Sequence, residues 1–114
     1  MSQETIFDKI IRDEIPVNIV YQDDYVIAFH DINPQAPVHV LVIPKKKYQG
    51  FSDLADADAL SAGQYMTSIS KVAKHLKLDN GYRIVFNQGN DGLQTVEYIH
   101  AHLLAGRQLQ WPPG

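Results

Sequence analysis

Two histidines, His100 and His102, stand two positions apart in this sequence of 114 residues. They lie in residues 96–104, where the alternation of side chains predicts a β-strand, so both imidazole rings leave the same face. An imidazole titrates near neutral pH and can act as a nucleophile, a proton donor or a metal ligand. The spacing therefore predicts one site served by two titratable rings, unless the pair is only incidental packing in a sheet.

A zinc site is the alternative that the same pair allows. Two strand histidines and a third, His39 or His30, would supply three nitrogen ligands and leave one position open. Metal-ligating histidines usually donate their second ring N–H to a carboxylate or a carbonyl, which orients them. Strand alternation turns Glu97 to the opposite face, so we expect no carboxylate beside the two histidines and favour a metal-free site.

The segment before the histidines, residues 87–95, is a loop that contains glycines. Glycines allow backbone amides to converge on an anion, and Asn87, Gln94 and Thr95 add neutral donors for a phosphate oxygen. The same loop could be only a hairpin turn, because Asn-Asp-Gly at residues 90–92 is common turn chemistry.

Residues 29–32 combine an acid, Asp31, with an aromatic and an aliphatic neighbour. A nucleoside fits such a segment, because apolar walls enclose the base and a carboxylate accepts hydrogen bonds from the ribose hydroxyls. An acid before Asn33 and Pro34 is also a common turn former, so this signal is ambiguous by itself.

The remaining elements must position these groups. Residues 5–14 predict a short helix that begins with a capping box of Thr5 and Asp8, and residues 57–78 predict the long helix. Runs of β-branched and aromatic residues predict strands at residues 17–21, 25–29, 38–44, 82–86 and 96–104. We therefore expect an α+β fold in one domain, residues 1–114, with an antiparallel sheet of about five strands, one long helix and one short helix.

The composition limits the ligand classes. Ten basic against thirteen acidic residues give a net charge of −3, so no basic field exists for a nucleic-acid polymer. The absence of cysteine excludes a disulfide, a thiolate zinc site and a cysteine nucleophile. Residues 1–4 do not resemble a signal peptide and no apolar run approaches the roughly 20 residues of a membrane span. We expect a soluble cytoplasmic protein with no membrane partner, in which residues 45–47 form a solvated lysine turn.

The order of several motifs resembles the histidine-triad superfamily, specifically its Hint branch. The matching segments cover nearly the whole chain, and the most specific are Pro-Gln-Ala-Pro-Val-His at residues 34–39 and Trp-Pro-Pro-Gly at residues 111–114. This resemblance implies a hydrolase that cleaves the P–N bond of purine nucleoside phosphoramidates, of the AMP-amine type, through a covalent nucleotidyl-histidine and with no cofactor. It also implies a HIT-like fold in which two copies join their sheets in a homodimer.

Residue roles follow from the same resemblance. His100 matches the nucleophile, His102 lies beside the leaving group, and His39 matches a fourth histidine that supports the hydrogen-bond chain. Asp31 matches the acid that binds the ribose. The other matching positions are Ile6, Phe7, Ile10, Phe29, His30 and Ile32 for the purine base, Asn87, Leu93, Gln94 and Thr95 for the phosphate, and Trp111, which reaches toward the partner's site.

Three departures from the family's pattern change these expectations. Tyr98 replaces the first histidine of the triad, which helps to orient the nucleophile, and the neutral phenol predicts reduced but not absent turnover. The alternative is a catalytically weakened nucleotide-binding or protein-interaction homodimer. Leu93 stands where the branch usually has Gly, which narrows the phosphate loop or changes its backbone angle. Thr5 and Asp8 replace the Cys-x-x-Cys of relatives that bind structural zinc, so we expect no structural zinc.

Overall fold

The computed structural model describes residues 3–114 apart from the side chain of Ala55, so the expectation for residues 1–4 falls partly outside the described residues. The elements follow one another along the chain as α1 Ile6–Ile11, β1 Ile19–Gln22, β2 Val26–His30, β3 Val38–Pro44, α2 Phe51–Ala55, α3 Ala59–His75, β4 Arg83–Val85 and β5 Ala101–Ala105. Among residues 3–114, no helix has the length and apolar character that a membrane crossing requires.

The strands form an antiparallel sheet of five in the order β1-β2-β3-β5-β4. β3 is central and places Leu41 opposite Phe29 of β2 on one side and His102 of β5 on the other. β3 has the predicted bounds, because its β-branched residues favour a pleated strand and Pro37 limits its start. The expected α+β class with its five-stranded antiparallel sheet is confirmed.

Alternation along the strands gives the sheet two different faces. The α3 face carries Val40, Val42 and Leu103 and packs against α3 in an apolar cluster. The α1 face carries Phe29 and Leu41 and packs against Phe7 and Ile10 of α1. His39 and His102 alternate with residues of the α3 face, and they therefore lie on the α1 face beside the shorter helix.

α1 is short, and a capping box defines its start. Thr5 Oγ1 accepts from the Asp8 N–H at 3.3 Å, and the Asp8 carboxylate accepts from the Thr5 N–H at 2.6 Å. The helix ends at Ile11, before Asp13 adopts a φ of +60°, so it is shorter than the predicted residues 5–14. The expected capping box is confirmed.

The last strand is shorter than the sequence predicts. β5 covers Ala101–Ala105, whereas residues 96–100 lie outside the ladder, because Ile99 N–H donates to the Tyr48 carbonyl in the loop after β3. The side chains still alternate there, since Ile99 joins the α3 face and Tyr98 joins the α1 face. The long helix is likewise trimmed to Ala59–His75, and α2 was not predicted because five residues are too few to show helical periodicity.

Candidate active site

The candidate site lies on the α1 face, where residues of β3 and β5 meet the end of β2. His39 is paired with Leu104 and His102 with Leu41, so the two histidines are diagonal neighbours on adjacent strands. The N–H of Asp31, immediately after β2, donates to the His39 carbonyl at 2.9 Å. The sheet thus brings together three of the residues singled out from the sequence, and His100 precedes β5 on the same side.

His100 is held in one tautomer by the backbone. Its Nδ1 lies 2.8 Å from the Tyr98 carbonyl oxygen, and because a carbonyl only accepts, Nδ1 carries the proton. Nε2 therefore keeps its lone pair. The ring is 7% exposed, and burial lowers its pKa below the ordinary value although the bond to the Tyr98 carbonyl and the charge of Asp31 raise it. At neutral pH His100 is a neutral ring with a free lone pair on Nε2.

His39 and His102 are hydrogen-bonded to each other, and each carries its proton on Nε2 rather than on Nδ1 as His100 does. The Gln35 N–H donates to His39 Nδ1 at 3.0 Å, so the proton of a neutral His39 is on Nε2. His39 Nε2 lies 2.9 Å from His102 Nδ1, which must then accept. His102 Nε2 consequently carries the second proton. Burial lowers the pKa of His39, while the Asp31 carboxylate raises it.

The Nε2–H of His102 is a buried donor, and the described chain offers it no acceptor. Burial, and then the proximity of His100 and His39, lower the pKa of His102 to about 4. The hydrogen bonds also favour a neutral His102. An imidazolium would carry a proton on Nδ1 as well, and that N–H would face the Nε2–H of His39. Since an unsatisfied buried donor is costly, this N–H is suited to an acceptor that a ligand supplies. The ring centroids of His100 and His102 are 5.0 Å apart, so the donor of one ring and the lone pair of the other are close enough to reach a single ligand.

Asp31 corrects the expectation that no carboxylate lies beside the histidines. Its Oδ2 is 3.4 Å from His39 Nε2, while its Oδ1 accepts from the Asn33 N–H at 2.8 Å, so it orients a histidine and also forms a turn. The metal-ligating atoms of Asp31, His39 and His102 lie within 4.8 Å of one another. These three could hold a divalent cation if the proton shared by the two histidines were released. His30, the other suggested ligand, is exposed and follows Phe29 on the opposite face of β2.

The apolar wall predicted for a purine base is partly assembled. Phe7 packs edge-on against His100 at 5.0 Å and against Phe29 at 5.9 Å between ring centroids, and Ile10 is buried beside them. Ile6 is half-exposed and Ile32 is fully exposed, so these two aliphatic side chains are available to a ligand rather than to the core. We call the buried rings of Phe7 and Phe29 the aromatic floor of the predicted pocket, and the exposed side chains of Ile6 and Ile32 its aliphatic rim.

Tyr98 does not take the place of a third histidine in this cluster. Its side chain is 1% exposed in the α1-face core, where it contacts Phe7, and its hydroxyl donates to the Pro44 carbonyl rather than to a histidine. Burial raises its pKa, so the phenol stays protonated. The orientation of His100 comes instead from the Tyr98 carbonyl, which any residue at this position would provide.

The loop at residues 87–95 is fixed by its own hydrogen bonds. Gln94 Oε1 accepts from the Gly89 N–H at 3.0 Å, and Gln94 Nε2 donates to the Gln49 carbonyl at 2.7 Å, so the amide holds the loop in place. Leu93 has a φ of +59°, the left-handed conformation that favours glycine, and its side chain is 73% exposed. The structure thus retains a glycine-like backbone angle at Leu93 and moves the side chain into solvent.

Other predicted binding residues lie near this loop or away from the site. A groove of about 450 Å³ between the start of α1 and the loop is lined by Ile6, Gln94 and Thr95, among others. Asn87 is half-buried, and Trp111 is 80% exposed near the end of the chain. The groove thus brings together Ile6, which is expected to contact the purine base, and Gln94 and Thr95, which are expected to contact the phosphate.

The backbone groups that set both tautomers were missed by the sequence analysis. The Gln35 N–H and the Tyr98 carbonyl act through the main chain, so their residue types carry no signal. Gln35 could have been found only through its place in the specific motif at residues 34–39. A third omission is Lys47, whose Nζ is 2.8 Å from Asp8 Oδ2.

Thr5 and Asp8 do not offer the ligands of a structural zinc, which takes thiolates and imidazoles. Asp8 Oδ2 accepts from the Thr5 backbone, the Thr5 hydroxyl and the Lys47 ammonium. A cation would have to displace this ammonium from the carboxylate, so the residues do not fit the metal.

Comparisons with known proteins point to one family. A family profile described as HIT domain matches residues 12–109. The 14 kDa zinc-binding protein of Zea mays is 53% identical over 113 residues, 96% of this chain and 88% of that protein. The adenylylsulfatase HINT1 of Arabidopsis thaliana is 49% identical over 96% of this chain and 76% of its own length. The crystal structure of a HIT family hydrolase from Legionella pneumophila Philadelphia 1 has a TM-score of 0.90 and 44% identity, and covers 97% of this chain and 100% of that one.

The profile covers most of the chain, and the two relatives and the solved structure match it almost from end to end. Their agreement confirms the family resemblance drawn from the motifs. The chain therefore belongs to the histidine-triad family, in its Hint branch, and has the fold of nucleotide-binding hydrolases.

Proposed function

We propose that this protein hydrolyses the P–N bond of purine nucleoside phosphoramidates through a covalent nucleotidyl-His100 intermediate. The observation that carries the proposal is the opposite polarity of two neighbouring rings: Nε2 of His100 holds a lone pair, and Nε2 of His102 holds a proton. A nucleophile beside a hydrogen-bond donor is what displacement at phosphorus requires, since the rest of the catalysis is positioning and charge stabilisation.

In the first step, Nε2 of His100 forms a bond to phosphorus and the P–N bond breaks. The leaving nitrogen keeps the electron pair and takes a proton from solvent water, because a neutral His102 could give up its only ring proton only by becoming an imidazolate. The Nε2–H of His102 donates a hydrogen bond on the leaving-group side of phosphorus. The Nδ1–H bond to the Tyr98 carbonyl supports the positive charge that develops on His100. The products of this step are the amine and the nucleotidyl-enzyme.

In the second step, water attacks phosphorus and the bond from phosphorus to His100 breaks. One proton of the attacking water returns to solvent, which balances the proton taken up in the first step, and the nucleoside monophosphate is released. His39 and the Gln35 N–H act through His102, since they keep its Nδ1 as an acceptor and its Nε2–H directed at the substrate. Both are positioning groups in this scheme.

The proposed nucleotide lies across the α1 face. Its base contacts the aromatic floor of Phe7 and Phe29, its ribose hydroxyls donate to Asp31, and its phosphate lies between His100 and the loop that carries Thr95. The Arabidopsis relative named adenylylsulfatase supports an adenylyl group as the part that is transferred. Leaving groups on nitrogen and on sulfate oxygen differ only on the far side of phosphorus.

We further propose a cytoplasmic homodimer joined through β4. This strand lies at the edge of the sheet formed by the described residues, where its outer backbone groups could pair with the same strand of a second copy, and Ile84 on it is 41% exposed. Trp111 is exposed and available to the partner's site. Nucleic-acid polymers and membranes are not proposed as partners.

The decisive test is turnover of adenosine 5′-phosphoramidate by the wild type and by His100→Ala, with adenylyl sulfate as a second substrate. We expect the substitution to lower kcat by at least about a thousandfold, because it removes the nucleophile. His75→Ala, at an exposed histidine of α3, is the matched control and should leave turnover unchanged. Equal rates for the wild type and His100→Ala would overturn the proposal.

A second candidate is a nucleotide-binding or protein-interaction homodimer with little turnover. The observation that favours it is Tyr98, whose side chain lies in the core and adds no third ring to the site. Rapid-quench measurement separates the two candidates. Tight AMP binding without a burst of adenylyl-enzyme would support the binding protein, whereas a burst that depends on His100 supports the hydrolase.

Metal catalysis at Asp31, His39 and His102 is the third candidate, favoured by the spacing of these ligands. A chelator should leave turnover unchanged if the histidines act alone. Loss of activity on chelation, with recovery on adding Zn²⁺ and a stoichiometric metal content, would replace the nucleophilic mechanism by a metal-assisted one.

A further inference from the structure

Among the described residues, Lys47 joins the predicted lysine turn to the N-terminal segment and α1. Its Nζ donates to Asp8 Oδ2 at 2.8 Å and to the Gln3 carbonyl at 3.0 Å. The side chains of Lys47 and Asp8 are only 24% and 16% exposed, so this is a largely shielded ion pair across 39 positions of sequence. Its neighbour Lys46 is exposed and makes no such contact.

The same carboxylate oxygen also caps α1. Asp8 Oδ2 accepts from the Thr5 N–H at 2.6 Å and from the Thr5 hydroxyl at 2.8 Å in addition to Lys47. Burial raises the pKa of Asp8, but the hydrogen bonds from Lys47 and Thr5 outweigh it and leave the pKa below its ordinary value. The helix cap and the long-range ion pair therefore depend on one group, and loss of either partner weakens both.

This carboxylate stands next to Phe7, the aromatic residue that packs edge-on against His100 at 5.0 Å. Lys47 Nζ also lies 5.7 Å from the centroid of the Tyr98 ring, which packs in a T-shaped arrangement with Phe7. α1 is only six residues long, and a helix of that length does not persist in water without tertiary contacts. The ion pair supplies such a contact at the end of α1 that lies beside the active site.

We propose that Lys47 and Asp8 are positioning residues, and that their ion pair holds α1 so that Phe7 and Ile6 form the wall of the purine pocket beside His100. This inference rests on the proposed nucleotide site but does not depend on turnover. We call Lys47, Asp8 and Thr5 the clamp. Through Phe7 and Ile6 the clamp affects the contact with the base, and it does not affect the contact with the phosphate. The clamp thus contributes to selection of ligands that carry a base.

The test compares binding of AMP with binding of ribose 5-phosphate, which lacks the base, by titration calorimetry. Lys47→Met should weaken AMP binding by roughly threefold to tenfold, as the loss of one modest interaction predicts. It should leave ribose 5-phosphate within about twofold, because that ligand does not reach α1. Lys46→Met is the matched control and should change neither affinity, and Lys47→Arg should restore much of the AMP affinity because it keeps the charge.

Asp8→Asn and the double variant Lys47→Met with Asp8→Asn complete the design. If the two residues act as one pair, the double variant should bind AMP no more weakly than the weaker single variant. A general loss of folding would lower the fraction of protein that binds and would affect both ligands alike. An equal effect on the two ligands, or no effect of Lys47→Met on AMP, would overturn the clamp.

The same variants keep this inference separate from the proposed hydrolysis. If the wild type binds AMP but shows no turnover that depends on His100, the proposed reaction fails while a selective loss of AMP affinity in Lys47→Met still supports the clamp. If turnover depends on His100 but Lys47→Met leaves AMP binding unchanged, the reaction stands and the clamp fails.

Discussion

The two faces of the same sheet are built in opposite ways. The α3 face is covered by a helix of 17 residues, and its buried side chains form a continuous apolar cluster. The α1 face is covered by a helix of six residues and mixes aromatic rings with histidines and a shielded ion pair. Because neighbouring residues of β5 point to opposite faces, the strand that carries His102 also carries Leu103.

This difference shows how a small domain can keep titratable groups close to its core. Buried histidines without full hydrogen bonding cost stability, and the α3 face offsets that cost by burying apolar area. A substitution in the apolar cluster of the α3 face should therefore change stability without changing chemistry, whereas a substitution or a protonation at a histidine of the α1 face should change the chemistry.

Ile69→Ala tests the first half of that comparison with the largest expected effect on stability. Ile69 is 1% exposed in the middle of α3, so its truncation should lower the free energy of unfolding by about 2–5 kcal/mol. Turnover per folded molecule should stay unchanged. Urea unfolding measures the first quantity, and Leu60→Ala, at a residue of the same helix that is 71% exposed, should cost less than about 0.5 kcal/mol. A loss in Ile69→Ala as small as that expected for Leu60→Ala would contradict the view that the buried side of α3 stabilises the sheet.

The pH dependence of kcat/KM tests the second half. Burial depresses the pKa of His100 below its ordinary value of 6.5, and protonation would occupy the Nε2 lone pair. Activity should therefore be constant from about pH 6.5 to 8 and fall about tenfold per unit once the pH drops through the His100 pKa. A steady-state profile that already declines above pH 7 would contradict the neutral nucleophile.

The free energy of unfolding should also decrease as the pH falls. The pKa values of His39, His100 and His102 are all lowered, so below about pH 6.5 the unfolded chain binds more protons than the folded one. Their contribution to stability is present above that pH and is lost as the pH falls. The α3 face carries no histidine within its buried cluster, so this dependence belongs to the α1 face.

The sequence was sufficient for what depends on residue type and periodicity. The β-branched run of β3 and the amphipathic pattern of α3 predicted the element types, and the motif at residues 34–39 predicted the family. The start of β5 could not be predicted in this way, because β3 continues past Val42 to Pro44 while the Ile99 N–H donates outside the sheet, to the Tyr48 carbonyl.

The proton positions and the clamp depend on groups that are distant or that belong to the backbone. The sequence predicts Lys47 to be part of a solvated turn, because its partner Asp8 is 39 positions away and the pairing leaves no local pattern. The tautomer of His100 depends on the Tyr98 carbonyl, a backbone group within residues 96–100, which lie outside the ladder. Alternation correctly put Tyr98 and His100 on one face, but it did not indicate that the tyrosine hydroxyl would reach Pro44.

Tyr98→Phe sharpens the comparison because Tyr98 belongs to the core of the α1 face and contributes only its carbonyl to the site. The substitution leaves the Pro44 carbonyl without its donor and should lower the free energy of unfolding by about 1–2 kcal/mol. It should change kcat by less than about threefold, since the Tyr98 carbonyl still holds His100. The control Tyr82→Phe, at a residue that is 45% exposed, should change neither quantity. A large loss of kcat in Tyr98→Phe would assign the phenol to the chemistry.

Leu93→Gly has the smallest expected effect and probes the rim of the α1 face. Leu93 adopts a φ of +59°, so its backbone is strained. Its side chain is 73% exposed and therefore offsets little of that strain by burying apolar area. Glycine removes the strain but increases the freedom of the unfolded chain, and the net effect should be a gain of at most about 1 kcal/mol. Leu93→Ala retains a Cβ in the left-handed region and should show no gain in the same urea unfolding assay. If alanine stabilises as much as glycine, the cause is the exposed leucine side chain and not the backbone angle.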